Sequence, residues 1–66
     1  MIKKEPPTVE QLQEMVTKLG GLVTAYDLCK EFVYRDYERQ AVQLAMQRAI
    51  SNGKLILHKD WKLSNG

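Results

Sequence analysis

The chain has 66 residues, of which 44% are hydrophobic and 27% are charged, and its formal net charge is +2. These values exclude a disordered chain and suit one small globular domain, while every apolar run falls short of the ~20 residues that a membrane span needs. A single cysteine, Cys29, excludes an internal disulfide and offers no metal-ligand pair, so we expect a cytoplasmic domain that is stabilised by packing alone and holds no cofactor or metal.

The first predicted helix follows a short tail. Residues 1–7 are expected to be extended, because Pro6 and Pro7 resist helix formation. Thr8 is a predicted N-cap, with Gln11 as its capping-box partner, and two glycines at residues 20–21 end the helix. Apolar residues at helical spacing predict one buried stripe. This stripe comprises Val9, Leu12, Met15, Val16 and Leu19.

A short strand and a second helix are predicted next. Leu22 and Val23 are expected to form a minimal strand, and Thr24 is a predicted N-cap with Asp27 three residues later. The second helix is expected to end near Val33 or Tyr34. Its predicted apolar face consists of Ala25, Leu28, Cys29 and Phe32.

The third predicted helix is the longest. Asp36 is its expected cap, and the helix should run from about Tyr37 to Asn52, where an Asn-Gly pair ends it. At 100° per residue, four side chains share one buried sector, with Ile50 at its border. The four are Val42, Ala45, Met46 and Ala49.

Two short apolar runs close the chain. Residues 54–58 and 61–63 are predicted to pair as a hairpin around residues 59–60. Alternation places Leu55 and Leu57 on one face and Trp61 and Leu63 on the matching face of the partner strand. Trp61 is expected to plug the core, and residues 64–66 are expected to be a polar tail.

Three groups of residues carry a resemblance to a known family. They are residues 20–28 (GGLVTAYDL), the spacing of Val42, Ala45, Met46 and Ala49 before Gly53 and Leu55, and Trp61 followed by Leu63. With this pattern, residues 8–63 resemble the bacterial and phage winged helix-turn-helix superfamily. The resemblance implies an α+β fold of three helices, a short antiparallel hairpin called the wing, and a minimal third strand.

The resemblance also implies a function. In that superfamily the third helix commonly enters the DNA major groove while the wing touches adjacent phosphates. A small DNA-binding protein is therefore expected, a transcriptional regulator or phage-type accessory factor. Here the wing is short, and the third helix presents glutamines and one leucine rather than several arginines. Useful affinity for double-stranded DNA is thus expected to need a dimer or adjacent sites.

The expected DNA contacts lie in the second half of the chain, where residues 30–66 hold seven lysines and arginines against four acids. Glutamine amides pair with adenine edges, and cations neutralise phosphates. Taken singly, such a side chain is better explained as part of a solvated helix surface. The set is interpreted as DNA contacts because it lies on the element that reads DNA in similar folds. Tyr37 is expected to donate to a phosphate. The candidate base readers are Gln40, Gln43 and Gln47, and the candidate phosphate contacts are Arg35, Arg39, Arg48, Lys54, Lys59 and Lys62.

Leu44 supports a different interpretation. It lies centrally on the helix face assigned to DNA, where a leucine contacts a thymine methyl group or forms a protein interface with Tyr34 or Tyr37. The alternative function is a protein–protein adapter or inhibitor on the same fold, as a homodimer or with another protein.

Enzymatic interpretations find little support in the sequence. His58 is the only histidine and falls on a predicted strand, and Cys29 falls on a buried stripe, where a packed thiol is expected. The glycines at residues 20–21 lack the lysine of a phosphate-binding loop. We therefore expect neither catalysis nor a small-molecule substrate.

Overall fold

The computed structural model describes residues 5–66, and this range contains three helices and three strands. In chain order they are α1 (Val9–Lys18), β1 (Leu22–Thr24), α2 (Ala25–Tyr34), α3 (Arg39–Ser51), β2 (Leu55–Leu57) and β3 (Lys62–Asn65). The strands form one antiparallel sheet in the order β1-β3-β2. The predicted α+β fold is confirmed, and its topology is consistent with a winged helix.

Two of the three helices begin at the threonines that the sequence identifies as caps. Thr8 Oγ1 accepts a hydrogen bond from the Gln11 N–H at 3.1 Å, and the Gln11 side chain accepts one from the Thr8 N–H at 2.9 Å, which completes the predicted capping box. Thr24 Oγ1 accepts from the Asp27 N–H at 3.0 Å. Caps of this kind contribute about 1 kcal/mol each, so these two helix starts are encoded locally.

The third helix starts later than the sequence suggests. The predicted cap, Asp36, is wrong: α3 begins at Arg39, its N-cap is Glu38, and no side-chain hydrogen bond caps it. Asp36 instead has a left-handed backbone, with φ of 72°. The extra residues between Tyr34 and Arg39 therefore form a turn rather than the first turn of the helix.

Backbone hydrogen bonds close this turn between α2 and α3. The N–H groups of Arg35 and Tyr37 donate to the Phe32 carbonyl at 3.0 and 3.1 Å, and the Asp36 N–H donates to the Val33 carbonyl at 3.0 Å. Backbone groups at a helix end need such partners. These bonds satisfy carbonyl groups at the end of α2, and Arg35 Nη1 also donates to the Glu31 carbonyl at 3.3 Å.

One apolar core joins the helices to the sheet. Seven side chains are at most 1% exposed, and no polar or charged side chain is buried in the part of the chain that the structure describes. Of the predicted tail, residues 1–4 lie outside the described range, and Pro7 is buried. No helix within residues 5–66 combines the length and apolar character that crossing a membrane requires. The seven side chains that are at most 1% exposed are Leu12, Val16, Leu28, Val42, Ala49, Leu55 and Leu63.

Strand β3 is the centre of the sheet. Leu63 pairs with Val23 of β1 on one side and with Leu57 of β2 on the other, and its side chain is fully buried. Leu55 and Leu57 share its face, as alternation predicts, yet Leu57 remains 42% exposed. The hairpin of β2, residues 58–61 and β3 is called the wing below.

A polar cluster fastens the end of β3 to α1. Asn65, which the sequence assigns to a polar tail, belongs to β3, and its Nδ2 donates to Thr17 Oγ1 at 3.0 Å and to the Gln13 carbonyl at 3.2 Å. The Lys54 carbonyl accepts from Gln13 Nε2 at 3.0 Å and from the Gly66 N–H at 2.9 Å. The last residues therefore contribute to the fold.

Replacing Asn65 by alanine should lower the free energy of unfolding by about 1 kcal/mol, since two hydrogen bonds are lost at a solvent-exposed site. Urea denaturation measures this change. Asn52→Ala is the matched control, because it removes the same amide from an exposed position that makes no side-chain hydrogen bond in the described range. Equal effects of the two substitutions would contradict a fastening role for Asn65.

Candidate functional site

The outer face of α3 is open to solvent. Val42, Ala45, Met46 and Ala49 are buried on the opposite side of the helix, as predicted, so the core fixes which face points outward. Leu44 is 54% exposed among polar neighbours. All members of the outer face are exposed; they are Arg39, Gln40, Gln43, Leu44, Gln47 and Arg48.

The six cations proposed for phosphate contact fall into two groups. Arg35 Nη1 lies 3.1 Å from Glu31 Oε1 and also donates to the Glu31 carbonyl at 3.3 Å. Lys62 Nζ lies 3.5 Å from Asp60 Oδ2. Both pairs are solvent-exposed and therefore weak, but they balance these two charges locally. The other four form no ion pair within residues 5–66; they are Arg39, Arg48, Lys54 and Lys59.

The aromatic residues near the start of α3 differ in their environment. Tyr37 precedes the helix rather than lying on it, is partly buried, and packs edge-on against Phe32 with ring centroids 5.2 Å apart. Tyr34 is 86% exposed at the end of α2. The proposed interface of Tyr34, Tyr37 and Leu44 therefore has two well-exposed members and one that packs on the core.

An open groove of about 820 Å³ lies between α2, α3 and the wing. Arg39, Gln43 and Gln47, three of the residues proposed for DNA contact, form part of its α3 wall. Gln40, Leu44 and Arg48 do not line it. The outer face of α3 thus merges with the groove along one edge.

Trp61 stands at the wing side of this groove, and its predicted role as a core plug is wrong. Its side chain is 70% exposed. Its backbone is left-handed, with φ of 63°, and directly follows the two turn residues of the hairpin. This is the position of a G1 bulge, which glycine ordinarily fills.

The backbone of Trp61 is held at both ends. Its N–H donates to the His58 carbonyl at 3.1 Å, and its carbonyl accepts from the Ala25 N–H at 3.1 Å. The His58 N–H in turn donates to the Lys62 carbonyl at 2.8 Å. The turn of the wing is therefore tied to the first residue of α2, and the indole is directed outward beside the groove.

Other groove residues are not indicated by the sequence, because apolar patterns assign residues to single helices or strands and not to a surface formed by several of them. Tyr26 of α2 is 70% exposed and lines the groove with Val33 and with Ile50 of α3. Alternation turns Ile56, not Leu57, away from the face that Leu55 and Leu57 share with Leu63. Leu57 nevertheless lines the groove and is 42% exposed, which the pattern of residues 55–57 does not indicate.

Cys29 lies at the buried side of the groove and is 8% exposed. Burial raises the pKa of its thiol, and the nearby positive charge of Arg39 opposes that shift. A raised pKa keeps the thiol protonated near neutral pH, and the thiolate is the reactive form. These properties are those of a packed thiol.

His58 makes one contact that the sequence does not announce. Its Nε2 lies 2.8 Å from Ser64 Oγ, across the wing. A serine–histidine pair used as a nucleophile and base is ordinarily oriented by a third group, and within residues 5–66 no hydrogen bond reaches the second ring nitrogen. We interpret the pair as a contact that links the two strands of the wing.

Comparisons with protein-family models, curated proteins and solved structures find no match to this chain. What the site binds is therefore inferred from its own geometry and charge. Two surfaces carry that inference: the polar outer face of α3 and the largely apolar groove beside it.

Replacing Trp61 by glycine should raise the free energy of unfolding by about 0.5–1 kcal/mol, because glycine adopts the left-handed backbone without strain and little buried surface is lost. Asp36→Gly, at the other non-glycine residue of the described range with positive φ, should gain less, since aspartate tolerates this conformation better than a bulky residue does. Urea denaturation compares the two. A loss of stability in Trp61→Gly would mean that the indole packs on the body of the domain.

Cys29 should react slowly with a thiol reagent at pH 7 in the folded protein, and its rate should rise only at a higher pH than that of a free thiol, because its pKa is raised. Arg39→Ala should move this onset further upward, since the opposing positive charge is removed. Arg48→Ala, which changes an arginine outside the groove, is the control. A folded-state rate equal to that of the urea-unfolded chain at the same pH would refute the packed-thiol interpretation.

Proposed function

We propose that this protein is a small cytoplasmic DNA-binding protein that places the outer face of α3 in the major groove and the wing against adjacent phosphates. The observation that carries the proposal is an exposed helix face with three glutamines, flanked by arginines that have no acidic partner in the described residues. Glutamine amides suit adenine edges, and unpaired arginines suit phosphates.

The spacing along α3 supports this assignment. Gln40, Gln43 and Gln47 recur at three- and four-residue intervals, so they form one row along the helix. Arg39 lies at the first position of α3 and Arg48 in its last turn. A cation at each end of a row of amides suits a helix that lies along a groove between two phosphate backbones.

The number of unpaired cations limits the affinity. If Arg39, Arg48, Lys54 and Lys59 each neutralise one phosphate, the slope of log K against log salt is about −3 to −4. The magnitude of this slope is well below that of a strongly basic DNA-binding protein. A dimer or adjacent sites would supply the additional contacts that regulation needs.

A protein ligand is the second candidate, in line with an adapter function on the same fold. The observation that favours it is the apolar groove, together with Leu44 on the outer face. Contact with a double helix does not require an apolar groove of this size.

Binding to a random-sequence duplex of about 30 base pairs should weaken with salt, with the slope given above. Arg48→Ala should reduce the magnitude of that slope by about 1, because one phosphate contact is lost. Arg35→Ala is the matched control and should leave the slope unchanged, since Glu31 already balances that charge. Fluorescence anisotropy of a labelled duplex over a salt series measures all three.

Sequence readout is tested separately. Duplexes selected from a randomised pool should bind the parent protein more tightly than random duplexes, and Gln40→Ala should reduce that preference without changing the salt slope. An absence of duplex binding at about 20 mM salt, where electrostatic attraction is strong, would eliminate DNA as the ligand.

A further inference from the structure

The groove has the composition of a protein-binding surface. Nine of its 14 lining residues are apolar, and the exposed ones include Tyr26, Leu57 and Trp61. Tryptophan, tyrosine and arginine are the residue types that dominate binding energy at protein interfaces. Trp61, Tyr26 and Arg39 bring all three types to this one groove.

The conformation of Trp61 points to use of this surface. A left-handed backbone costs about 1–2 kcal/mol at a residue other than glycine, and glycine would avoid that cost. A residue in such a conformation persists only where its surroundings hold it, and two backbone hydrogen bonds do so here. The strained bulge directs the indole outward beside the groove, where a ligand can cover it.

The charge of the groove identifies the kind of ligand. Lys30 on the α2 wall and Arg39 on the α3 wall are its charged residues, and no Asp or Glu is among the lining residues. Neither cation forms an ion pair within residues 5–66. A ligand with carboxylates beside an apolar strip would therefore be complementary to both walls.

We propose that the groove binds a short amphipathic helix of a partner protein, with apolar side chains on one face and Asp or Glu at its edges. The apolar face packs on Trp61, Leu57 and Ile50 between the two helices, and the carboxylates meet Lys30 and Arg39. Docking of this kind uses anchors at helical spacing, i, i+3, i+4 and i+7.

Other occupants fit less well. Double-stranded DNA supplies the negative charge but offers little apolar surface beyond thymine methyl groups. A second copy of this chain would have to present an acidic helix with an exposed apolar strip. Two helices in the described range, α1 and α2, carry two acids each, and both bury their apolar faces within the domain. The buried residues are Leu12, Met15 and Val16 in α1 and Leu28, Cys29 and Phe32 in α2.

The inference does not rest on the proposed DNA binding, but the two would be linked. Arg39, Gln43 and Gln47 belong both to the groove and to the outer face of α3. A docked helix would cover these side chains and thereby weaken DNA binding.

A selection of displayed random peptides of about 16 residues, roughly four helical turns, tests the proposal on the intact protein. Enriched peptides should carry apolar residues at helical spacing and a net negative charge. The best one, added as a synthetic peptide without tryptophan, should shift the emission of Trp61 to shorter wavelength. Trp61 is the only tryptophan of the chain and is 70% exposed, so its emission reports the groove directly.

Variants assign the binding to the groove. Trp61→Ala should lower the affinity for a labelled form of the best peptide by at least about tenfold, as expected for an anchoring aromatic residue. The double variant Lys30→Glu and Arg39→Glu should also lose at least about tenfold and should gain affinity for a peptide in which the acids are replaced by lysine. Arg48→Glu, a charge reversal outside the groove, should change peptide affinity by less than about twofold. Circular dichroism checks that each variant is folded.

Several results would overturn the proposal: no enriched peptide, enrichment of basic peptides, or binding that is indifferent to Trp61→Ala. A wild-type dimer that Trp61→Ala dissociates would make a second copy the occupant. DNA would be the occupant if duplex DNA shifts the Trp61 emission and if Trp61→Ala weakens DNA binding as much as it weakens peptide binding. If the protein does not bind DNA, the Gln40→Ala and Arg48→Ala experiments give no result, but the peptide experiments remain valid. The two proposals can therefore fail independently.

Discussion

The pairing of β3 with both of its neighbours is the constraint on which the rest of the structure depends. It brings residues 62–65 between two strands that lie far apart in sequence, and it seals the core with the fully buried side chain of Leu63. The same pairing fixes the wing, whose turn then reaches the first residue of α2 through the Trp61 carbonyl. The core and the groove therefore depend on the same strand, because β3 closes the core and belongs to the wing that lines the groove beside α2 and α3.

The α3 helix serves two surfaces of different chemistry. One side presents amides and cations that form no ion pair among residues 5–66, and the adjoining edge faces an apolar groove. Because Arg39, Gln43 and Gln47 belong to both, a ligand on one surface alters what the other offers. Coupling of this kind is reciprocal, so DNA would lower the affinity for a peptide by the same factor as the peptide lowers the affinity for DNA. A domain of this size would then link two partners without changing shape.

The features that the sequence predicts well are encoded over three to seven residues. The caps at Thr8 and Thr24 and the buried sector of α3 depend on neighbours along one helix, and together they define the fold class. Alternation wrongly predicts a buried Trp61, because a bulge puts the strand out of phase by one residue. The contacts of Asn65 join positions 48 and 52 residues apart, and no local pattern signals them. The groove is likewise a property of three elements together.

The backbone-closed turn between α2 and α3 has a consequence for any ligand. No glycine occurs in residues 35–38, and three main-chain hydrogen bonds hold the turn, so the angle between the two helices is set in advance. The conformational entropy cost of binding is then almost wholly that of ordering the bound peptide. Peptides that are already helical when free should accordingly bind more tightly. Stabilising the helix of the peptide should improve affinity more than substitutions in this protein do.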